Sequence, residues 1–479
     1  MKINMKNIHN TKISAGILLV LVSILSSCEK WLDIKPQTEI ESDVVFESEA
    51  GFQDALTGVY ISLQDSILYG QELTYGLVDV LSGQYKPFTQ SQNYYGASTY
   101  NYSEEQFINT SAQIFSKMYN AIANLNNLIG NINQRGQSLF SGSNYHVIRG
   151  EAYGLRAMVH FDLARLYASS MLAEGATKRA IPYMDTTGIV VKPRLTTTQL
   201  LAHVIEDLLV AENELLQGDP IVPGNEGYAT TYLRSRNYKF NYFAVKALQA
   251  RVYLYAGDKE KALLAARSVI ESGLFPWTSA GEIATATETS RNKIFTQELI
   301  FELAATRLGL RANTRFDPDS PGSLLEFSSE FTNLFNVDLD YRARYVAQNI
   351  LGTARYYSIK LTQPEGAFGG FTNRMPILRK SEMYYIAAEC LAETQPSAAV
   401  DYLNEVRANR NIEALSSTLT AAQIQNELAL EYRREFFSEG QVFYFFKRKN
   451  ITAIPGLAIP MSESTYVLPL PDNELIYGQ

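Results

Sequence analysis

Apolar residues recur along most of the chain three or four positions apart, which is the spacing of an amphipathic helix. Between residues 147 and 167 these positions are Ile148, Ala152, Leu155, Val159, Leu163 and Leu166. At this spacing the six side chains share one face of a single long helix. Charged residues of the same segment fall off that face: Arg149, Glu151, Arg156 and Arg165. The pattern predicts a predominantly all-α fold.

Two segments are predicted to form helical hairpins. Residues 243–275 contain two helical patterns joined by an Ala-Gly-Asp turn, and the second helix ends before Gly273, a C-cap. Residues 381–411 have the same plan, with Ser397 as the N-cap of the second helix. Both resemble tetratricopeptide units, but they lie about 140 residues apart instead of following in tandem. We therefore expect separate hairpins that pack together as one scaffold.

Four excursions of different composition interrupt the helical patterns: residues 75–102, 218–242, 306–323 and 364–374. They are rich in Gly, Pro, Asn, Ser and Tyr and show little apolar periodicity, which predicts mostly irregular loops. Long ordered loops in a compact protein are more often functional than incidental. We expect the helices to form the scaffold and the excursions to carry the ligand-binding site.

Residues 1–27 have the pattern of a secretory signal, with three lysines, no acidic residue and an apolar run from Ile13 to Leu25. A run of roughly 13 residues is too short to span a bilayer of ~30 Å as a helix. The sequence Leu-Ser-Ser-Cys that ends at Cys28 resembles a bacterial lipobox, whose cysteine is acylated and becomes the new N-terminus. We expect Cys28 to anchor the mature chain to a membrane. The alternative is an incidental cysteine beside an ordinary cleavage site.

The composition excludes several classes of function. The 479 residues are 46% hydrophobic and 19% charged, as in a globular protein with a large core. Without the three lysines of the signal the net charge is −11, which argues against a nucleic-acid-binding surface. The second cysteine, Cys390, lies among apolar residues and is expected to be a buried thiol.

No catalytic or metal-binding motif is recognisable in the sequence. Beyond the signal the histidines are isolated: His146, His160 and His203. The run FNVDLDYR begins like a calcium loop at Asn336, but Tyr341 occupies the glycine position and Ala347 the position of the terminal glutamate. We expect no metal, no cofactor and no enzyme activity. A pair of carboxylates of the kind that glycoside hydrolases use stays open as an alternative.

Several segments, in this order, resemble the SusD/RagB family of outer-membrane lipoproteins from Bacteroidetes. The family's opening is similar to CEKWLDIKPQTEIESDVVFESEAGF, and its long early helix is similar to RGEAYGLRAMVHFDLARLY. Its C-terminal tetratricopeptide pair resembles RKSEMYYIAAECLAE with AVDYLNEVRANRN, its late motif resembles EYRREFFSEGQVFYFFKR, and its end resembles YVLPLPDNEL. Matching positions of the late motif imply buried ion pairs: Glu431, Arg434, Glu435, Glu439 and Arg448. Val442 and Phe445 depart from the family's common Arg and Asp, which leaves the ligand class open.

The resemblance implies a role and a partner. Family members lie on the cell surface as a lid over a SusC-like TonB-dependent transporter, to which they pass a captured oligosaccharide or, in some members, a peptide. For this chain the resemblance implies a lipid-anchored protein of the cell outer membrane, without catalytic activity. Residues 1–27 are then the signal, and 28–225 and 226–479 are the N- and C-terminal regions of one globular unit. A glycan is the first hypothesis for the ligand, a peptide is the second, and a surface glycoside hydrolase is the third hypothesis for function.

Candidate ligand-binding residues lie mainly in the first excursion. A sugar presents C–H faces that pack on aromatic rings, and hydroxyl groups that need polar partners. The residues that offer such groups are Asp79, Gln84, Tyr85, Phe88, Asn93, Tyr94 and Tyr95, with Trp277 as the best aromatic residue elsewhere. For each residue alone the alternative is packing of the loop on a helix, whereas the cluster as a group is expected to contact the ligand.

Overall fold

The structure is a computed structural model that describes residues 44–188, 190–225, 231–320 and 322–477. The chain divides into two units, Met1–Gly51 and Phe52–Gln479. In the first unit the described residues are 44–51, which include the start of the first helix. The signal and Cys28 lie outside the described residues, so the lipid anchor stays a prediction, as does the boundary at 225/226.

Helices dominate the described residues, which confirms the prediction of a predominantly all-α fold. The longer helices are Glu49–Leu63 (α1), Glu105–Arg135 (α2), Asn144–Tyr167 (α3), Thr197–Gly218 (α4), Tyr242–Ala256 (α5), Lys259–Glu271 (α6), Leu308–Arg315 (α7), Lys380–Leu391 (α8), Pro396–Ala408 (α9), Ala421–Glu435 (α10) and Gln441–Arg448 (α11). Shorter helical turns are Leu77–Val80, Tyr95–Ser98, Ala280–Ile283, Phe331–Leu334, Tyr341–Arg344, Glu463–Tyr466 and Asp472–Tyr477. Across the described ranges, none of these helices has both the length and the hydrophobicity needed to cross a membrane.

Helix α3 is enclosed by other helices, in contact with α2, α4 and α5. Its six predicted apolar residues are buried, but so are three of the charged residues off that face, Glu151, Arg156 and Arg165. Each has a partner of opposite charge, which offsets the cost of removing a charge from water. The pairs are Glu151 with Arg236, Arg156 with Asp207, and Arg165 with Asp162. The periodicity thus identified the helix but underestimated how completely it is buried.

The two predicted hairpins are present and pack against each other. Helices α5 and α6 are joined at Gly257, whose φ of +87° is readily adopted by glycine, and Asp258 is the N-cap of α6. Between α8 and α9 the predicted N-cap Ser397 is wrong. The N-cap is Gln395, and Pro396 occupies the first turn, where its missing N–H is not needed. Contacts between α6 and α8 bring the hairpins together, as repeat-like units require for burying their faces.

Short antiparallel ladders connect the helical parts within the described residues. The strands are Arg179–Ile181 (β1), Leu195–Thr196 (β2), Leu299–Ala304 (β3), Ala347–Asn349 (β4), Tyr356–Ser358 (β5) and Arg374–Arg379 (β6). They pair as β1 with β2, β3 with β6, and β4 with β5. The β3–β6 ladder runs from the Leu299–Arg379 pair to the Ala304–Arg374 pair. This ladder positions the candidate site, because two of the predicted excursions leave it at one end.

A network of buried ion pairs centres on Glu435, the last residue of α10. Its carboxylate accepts hydrogen bonds of 2.7 to 3.1 Å from Arg342, Arg379 and Arg410. The further carboxylates that bind these arginines are Asp340, Glu431, Glu439 and Glu298. Arg434 pairs with Glu431 and Arg448 with Glu389, so the ion pairs implied by the late motif are confirmed. The network ties together segments that are more than a hundred residues apart in sequence.

Acid is expected to destabilise the protein over the range in which these glutamates take up protons. Burial alone would raise the pKa of Glu431 and Glu389, but their arginine neighbours lower it to about 2. In the unfolded chain a glutamate has a pKa of about 4.3, so the unfolded state binds protons first as the pH falls. The stability that these groups contribute is therefore complete above about pH 4.5 and is lost as the pH falls towards 2, by about 1.4 kcal/mol per pH unit for each group. Urea unfolding measured at decreasing pH should show this fall, and a free energy that stays constant through the whole interval would contradict it.

Candidate ligand-binding cleft

A cleft lies at the end of the β3–β6 ladder where two excursions meet. The strands are antiparallel, so the last residue of β3, Ala304, pairs with the first residue of β6, Arg374. The excursion that follows β3 and the one that precedes β6 therefore leave the ladder at the same end. At their base the backbone N–H of Ala305 donates to the carbonyl oxygen of Asn373 at 2.8 Å. The ladder thus brings together two segments that are distant in sequence, and both contribute to the lining of the cleft.

Leu308, the first residue of α7, lines the cleft, and α7 itself is a helix within the excursion 306–323, which was predicted to be mostly irregular. The Asn313 side chain fastens α7 to the opposite excursion. Its amide N–H donates to the carbonyl oxygen of Gln363, and its amide oxygen accepts from the Gln363 N–H, at 2.9 and 2.8 Å. A helix of this length is marginal in isolation. Docking on the neighbouring segment explains why a polar sequence without clear periodicity is helical here.

Residues 288–294 close another side of the cleft. The backbone N–H of Phe368 donates to a carbonyl oxygen of this segment at 2.8 Å. The ammonium group of Lys293 donates to Glu288 and to the hydroxyl of Thr362, both at 2.9 Å. Together with α7 these contacts surround an open cleft with about 360 Å³ of empty space.

An exposed aromatic pair stands in the glycine-rich wall of the cleft. Phe368 is 59% exposed, and its ring centroid lies 5.0 Å from that of Phe371 in an edge-to-face arrangement. Gly370 permits this geometry, because a β-carbon at that position would come within 2.5 Å of the Phe368 ring. Leaving a phenylalanine ring in water is unfavourable, and covering it with the apolar face of a ligand recovers that free energy. Phe368 is therefore the part of the cleft best suited to hold a ligand.

The polar lining of the cleft is rich in hydrogen-bond donors. Arg291 donates hydrogen bonds to the backbone carbonyl groups of Thr285 and Tyr345. Among the described residues no carboxylate pairs with its positive charge. Arg374 is held by two 2.7 Å hydrogen bonds to Glu302. Among the described residues that line the cleft, Glu288 is the one carboxylate. Nor do the described residues hold any group of three or more His, Cys, Asp or Glu side chains arranged for a metal ion.

Asp79 and Tyr85, two predicted ligand contacts, are enclosed in the protein interior. The Tyr85 hydroxyl donates to the Asp79 carboxylate, which also accepts the backbone N–H groups of Ser438 at 2.8 Å and Gly440 at 3.3 Å. Burial raises the pKa of Asp79 to about 7, against the opposite effect of these donors. The Tyr85 ring stacks on Phe327 with a centroid distance of 5.3 Å. In this structure the two side chains fasten the first excursion to the loop after α10, where a ligand does not reach them.

Three further predicted residues of this excursion, Gln84, Phe88 and Tyr94, also pack inward. Exposed fractions are 5% for Gln84, 8% for Phe88 and 8% for Tyr94. The Tyr94 hydroxyl donates to Glu72 and accepts from the Gln71 amide, both at 3.0 Å. The guanidinium carbon of Arg315 lies 4.9 Å from the centroid of the Tyr94 ring. Both the hydroxyl and a ring face of Tyr94 are thus occupied by the protein itself, so direct ligand contact would require the excursion to move.

Asn93 and Tyr95, two further predicted contacts of this excursion, keep part of their surface exposed. Asn93 is exposed and accepts a 3.1 Å hydrogen bond from Gln106, and Tyr95 is half-buried. Arg315 beside this excursion and Leu308 beside the cleft belong to the same helix, seven residues and so about 10 Å apart. Ligand contact by Asn93 and Tyr95 stays a prediction.

Trp277 lies near the other end of the β3–β6 ladder, against the helical hairpins. Its indole N–H donates to Glu405 at 2.9 Å, and its ring centroid lies 5.1 Å from that of Tyr384. The ammonium group of Lys380, the residue that follows β6, is 4.2 Å from the Trp277 centroid. The structure therefore does not bring Trp277 together with the cleft, and its role as a ligand contact stays a prediction.

Sequence reasoning missed Phe368, Phe371 and Arg291 as candidate site residues. A usable signal was present in the fourth excursion, where the run GAFGGF places two phenylalanines among glycines that offer them no side chains to pack against. Arg291 gave no such signal, because its position at the cleft depends on the contacts of residues 288–294 with the fourth excursion.

Two models of known protein families match parts of this chain. Residues 30–254 match the family model described as "Starch-binding associating with outer membrane", and residues 314–454 match the model of the SusD family. Together the two matches span well over half of the chain. The chain belongs to the SusD/RagB family. The resemblance seen in the sequence is thereby confirmed.

Individual relatives agree with this assignment. SusD-like protein P38 of Formosa agariphila is 24% identical over 279 residues, which are 57% of this SusD-family chain but 48% of the relative. The match thus takes in about half the length of that protein. A SusD superfamily structure from Bacteroides thetaiotaomicron has a TM-score of 0.71 at 22% identity, covering 90% of this chain and 98% of the other. A SusD-like carbohydrate binding protein from Bacteroides vulgatus has a TM-score of 0.69 at 18% identity, covering 90% and 96%. At these identities the structural likeness establishes the fold.

Proposed function

We propose that this chain binds a glycan in the cleft and delivers it to a SusC-like TonB-dependent transporter of the outer membrane. The observation that carries the proposal is the exposed Phe368 ring beside Phe371, at a cleft whose polar lining is mostly donors. A sugar ring has an apolar face that packs on such rings, while its hydroxyl oxygens accept hydrogen bonds from groups such as Arg291. The membership of the chain in a family of carbohydrate-binding proteins supports the same ligand class.

The lipid anchor predicted at Cys28 belongs to the same proposal. A protein held at the membrane next to its transporter presents each captured ligand at a high effective concentration.

We infer binding without turnover. Glycoside hydrolysis generally uses two carboxyl groups about 5–10 Å apart around the scissile bond. Among the described lining residues of the cleft Glu288 is the one carboxylate, and Lys293 already binds it. The nearby Glu302 is buried and held by Arg374. Both carboxylates near the cleft are thus already paired with cations, which favours binding over hydrolysis.

Calorimetric titration of residues 29–479 against starch oligosaccharides, other neutral glycans, acidic glycans and peptides tests this function. We expect saturable binding to one glycan class, and no reducing ends released when the same glycan is incubated with the protein. Binding to peptides alone would replace the glycan proposal by peptide capture. Release of reducing ends would instead establish a hydrolase.

A further inference from the structure

A second cavity lies at the C-terminal ends of α9 and α10, and none of its lining residues belongs to the cleft. It has about 440 Å³ of empty space, and the centres of water molecules can occupy about 150 Å³ of it. A protein cavity of about 150 Å³ can hold a benzene molecule, so this one has room for a small organic ligand. We call it the α9–α10 cavity, and its lining consists of Asn336, Leu339, Asp340, Arg407, Ile412, Glu413 and Arg434.

Two arginines of the cavity are held in the same way. The Nε atom of each donates to a backbone carbonyl oxygen, that of Glu413 for Arg407 at 2.8 Å and that of Leu334 for Arg434 at 2.7 Å. The Nη1 atoms of both donate to the same oxygen of Glu431, at 2.8 and 3.0 Å. Among the described residues no group accepts a hydrogen bond from Nη2 of either arginine. The two guanidinium groups are thus neighbours in fixed positions, and each keeps one N–H group for a ligand.

The positive charge of these arginines is only partly balanced. Their side chains are 11% and 15% exposed, and the carboxylate they share, Glu431, also accepts from Arg342. Among the described residues Arg434 has no second carboxylate partner, and Arg407 makes one further, longer contact of 3.7 Å with the partly exposed Glu427. Removing charges from water is costly unless they are paired, so this part of the cavity favours a negatively charged group.

The other polar groups of the lining add a third donor. Asn336 accepts from the Asp338 N–H at 3.2 Å through its amide oxygen, and its amide N–H groups have no partner among the described residues. The Asp340 carboxylate is already bound by Arg342, at 2.8 and 2.9 Å. Glu413 is exposed, and its carboxylate is the one in the described lining that has no ion-pair partner. The site thus offers donors from three side chains to a ligand, with one negative charge at Glu413 that opposes anion binding.

Leu339 and Ile412 complete the lining with apolar surface. An inorganic anion such as sulfate gains nothing from such side chains, whereas the hydrocarbon part of an organic acid is removed from water against them. A carboxylate only accepts hydrogen bonds, and guanidinium groups match its two oxygens. Donors beside apolar side chains therefore indicate an organic carboxylate.

We propose that the α9–α10 cavity binds a small organic acid. Its carboxylate oxygens accept from the Nη2 groups of Arg407 and Arg434 and from the Asn336 amide, while its apolar part packs against Leu339 and Ile412. This site is independent of glycan binding in the cleft, because the two share no lining residue.

Calorimetric titration at constant ionic strength tests the proposal, with benzoate as the probe and benzamide as its uncharged analogue of nearly the same shape. We expect benzoate to bind the wild type at least about tenfold more tightly than benzamide does. Two variants of exposed residues should change the affinity for benzoate in opposite directions. Asn336→Asp places a negative charge in the cavity and should weaken binding at least about tenfold, whereas Glu413→Gln removes one and should strengthen it. Glu260→Gln, an equal change of charge on the exposed surface of α6, is the control and should bind as the wild type does.

Arg434→Met tests the guanidinium contact directly and should weaken benzoate binding at least about tenfold. Thermal unfolding shows whether this variant folds, and the two exposed variants decide if it does not. The proposal would be overturned if benzoate did not bind the wild type, if benzamide or sulfate bound as tightly as benzoate, or if Asn336→Asp and Glu413→Gln both kept the wild-type affinity.

Discussion

Replacing Glu435 by glutamine is expected to lower the free energy of unfolding by about 3–5 kcal/mol. Glutamine has nearly the same shape, so the change removes the negative charge and little else. Three guanidinium groups, of Arg342, Arg379 and Arg410, converge on that carboxylate, and all three are at most 1% exposed. Without the negative charge of that carboxylate, the three buried guanidinium groups lose their common ion-pair partner. The expected loss of stability is large because the arginines remain buried, so the free-energy cost of removing their charges from water is no longer offset by the Glu435 carboxylate.

Urea unfolding of Glu435→Gln beside Glu427→Gln measures this effect. Glu427 lies on the same helix, is partly exposed and makes one long contact of 3.7 Å with Arg407. Exposed pairs of that kind contribute about 0–1 kcal/mol, so the control should unfold almost as the wild type does. Equal stability of the two variants would show that the network around Glu435 is not a main determinant of stability.

Replacing Arg236 by methionine is expected to cost a similar amount, about 3–5 kcal/mol. Arg236 donates to both oxygens of Asp219, at 2.8 and 3.0 Å, and to Glu151 of α3 at 2.5 Å. Both carboxylates are fully buried. Methionine fills much of the same volume but leaves two negative charges in the interior without their cation.

Arg234→Met is the matched control, because Arg234 lies two residues earlier and is exposed. Its unfolding free energy should stay within about 0.5 kcal/mol of the wild type. If both variants unfolded at the same urea concentration, the ion pairs of Arg236 would not be a main source of stability.

The parts of the fold that the sequence predicted are those governed by local patterns. The apolar face of α3, the alanine-lined hairpins and the Gly257 turn follow from spacing and from backbone preferences of nearby residues. Helix α7 was missed because its stability comes from docking: the Asn313 contacts reach a residue 50 positions away.

The candidate site was only partly predictable, for a related reason. A tyrosine in a polar excursion can present its ring to a ligand or bury it, and the local sequence is the same in both cases. Asp79 and Tyr85 are buried because the backbone of Ser438, 359 residues later in the chain, satisfies the same carboxylate. Phe368 stays exposed because its neighbours are glycines, which is a local property and could have been read from the sequence.

The most direct test of glycan binding in the cleft uses the double variant Phe368→Ala, Phe371→Ala. The glycan that binds the wild type in the titrations described under the proposed function is titrated calorimetrically into this variant. Each aromatic contact contributes about 0.5–1.5 kcal/mol beyond the area it covers, so we predict affinity at least about tenfold weaker than in the wild type. Leu351→Ala is the control, because Leu351 is 98% exposed on the β4–β5 hairpin, outside the lining of the cleft, and its loss should leave affinity unchanged. Wild-type affinity in a folded double variant would contradict the assignment of the cleft as the glycan-binding site.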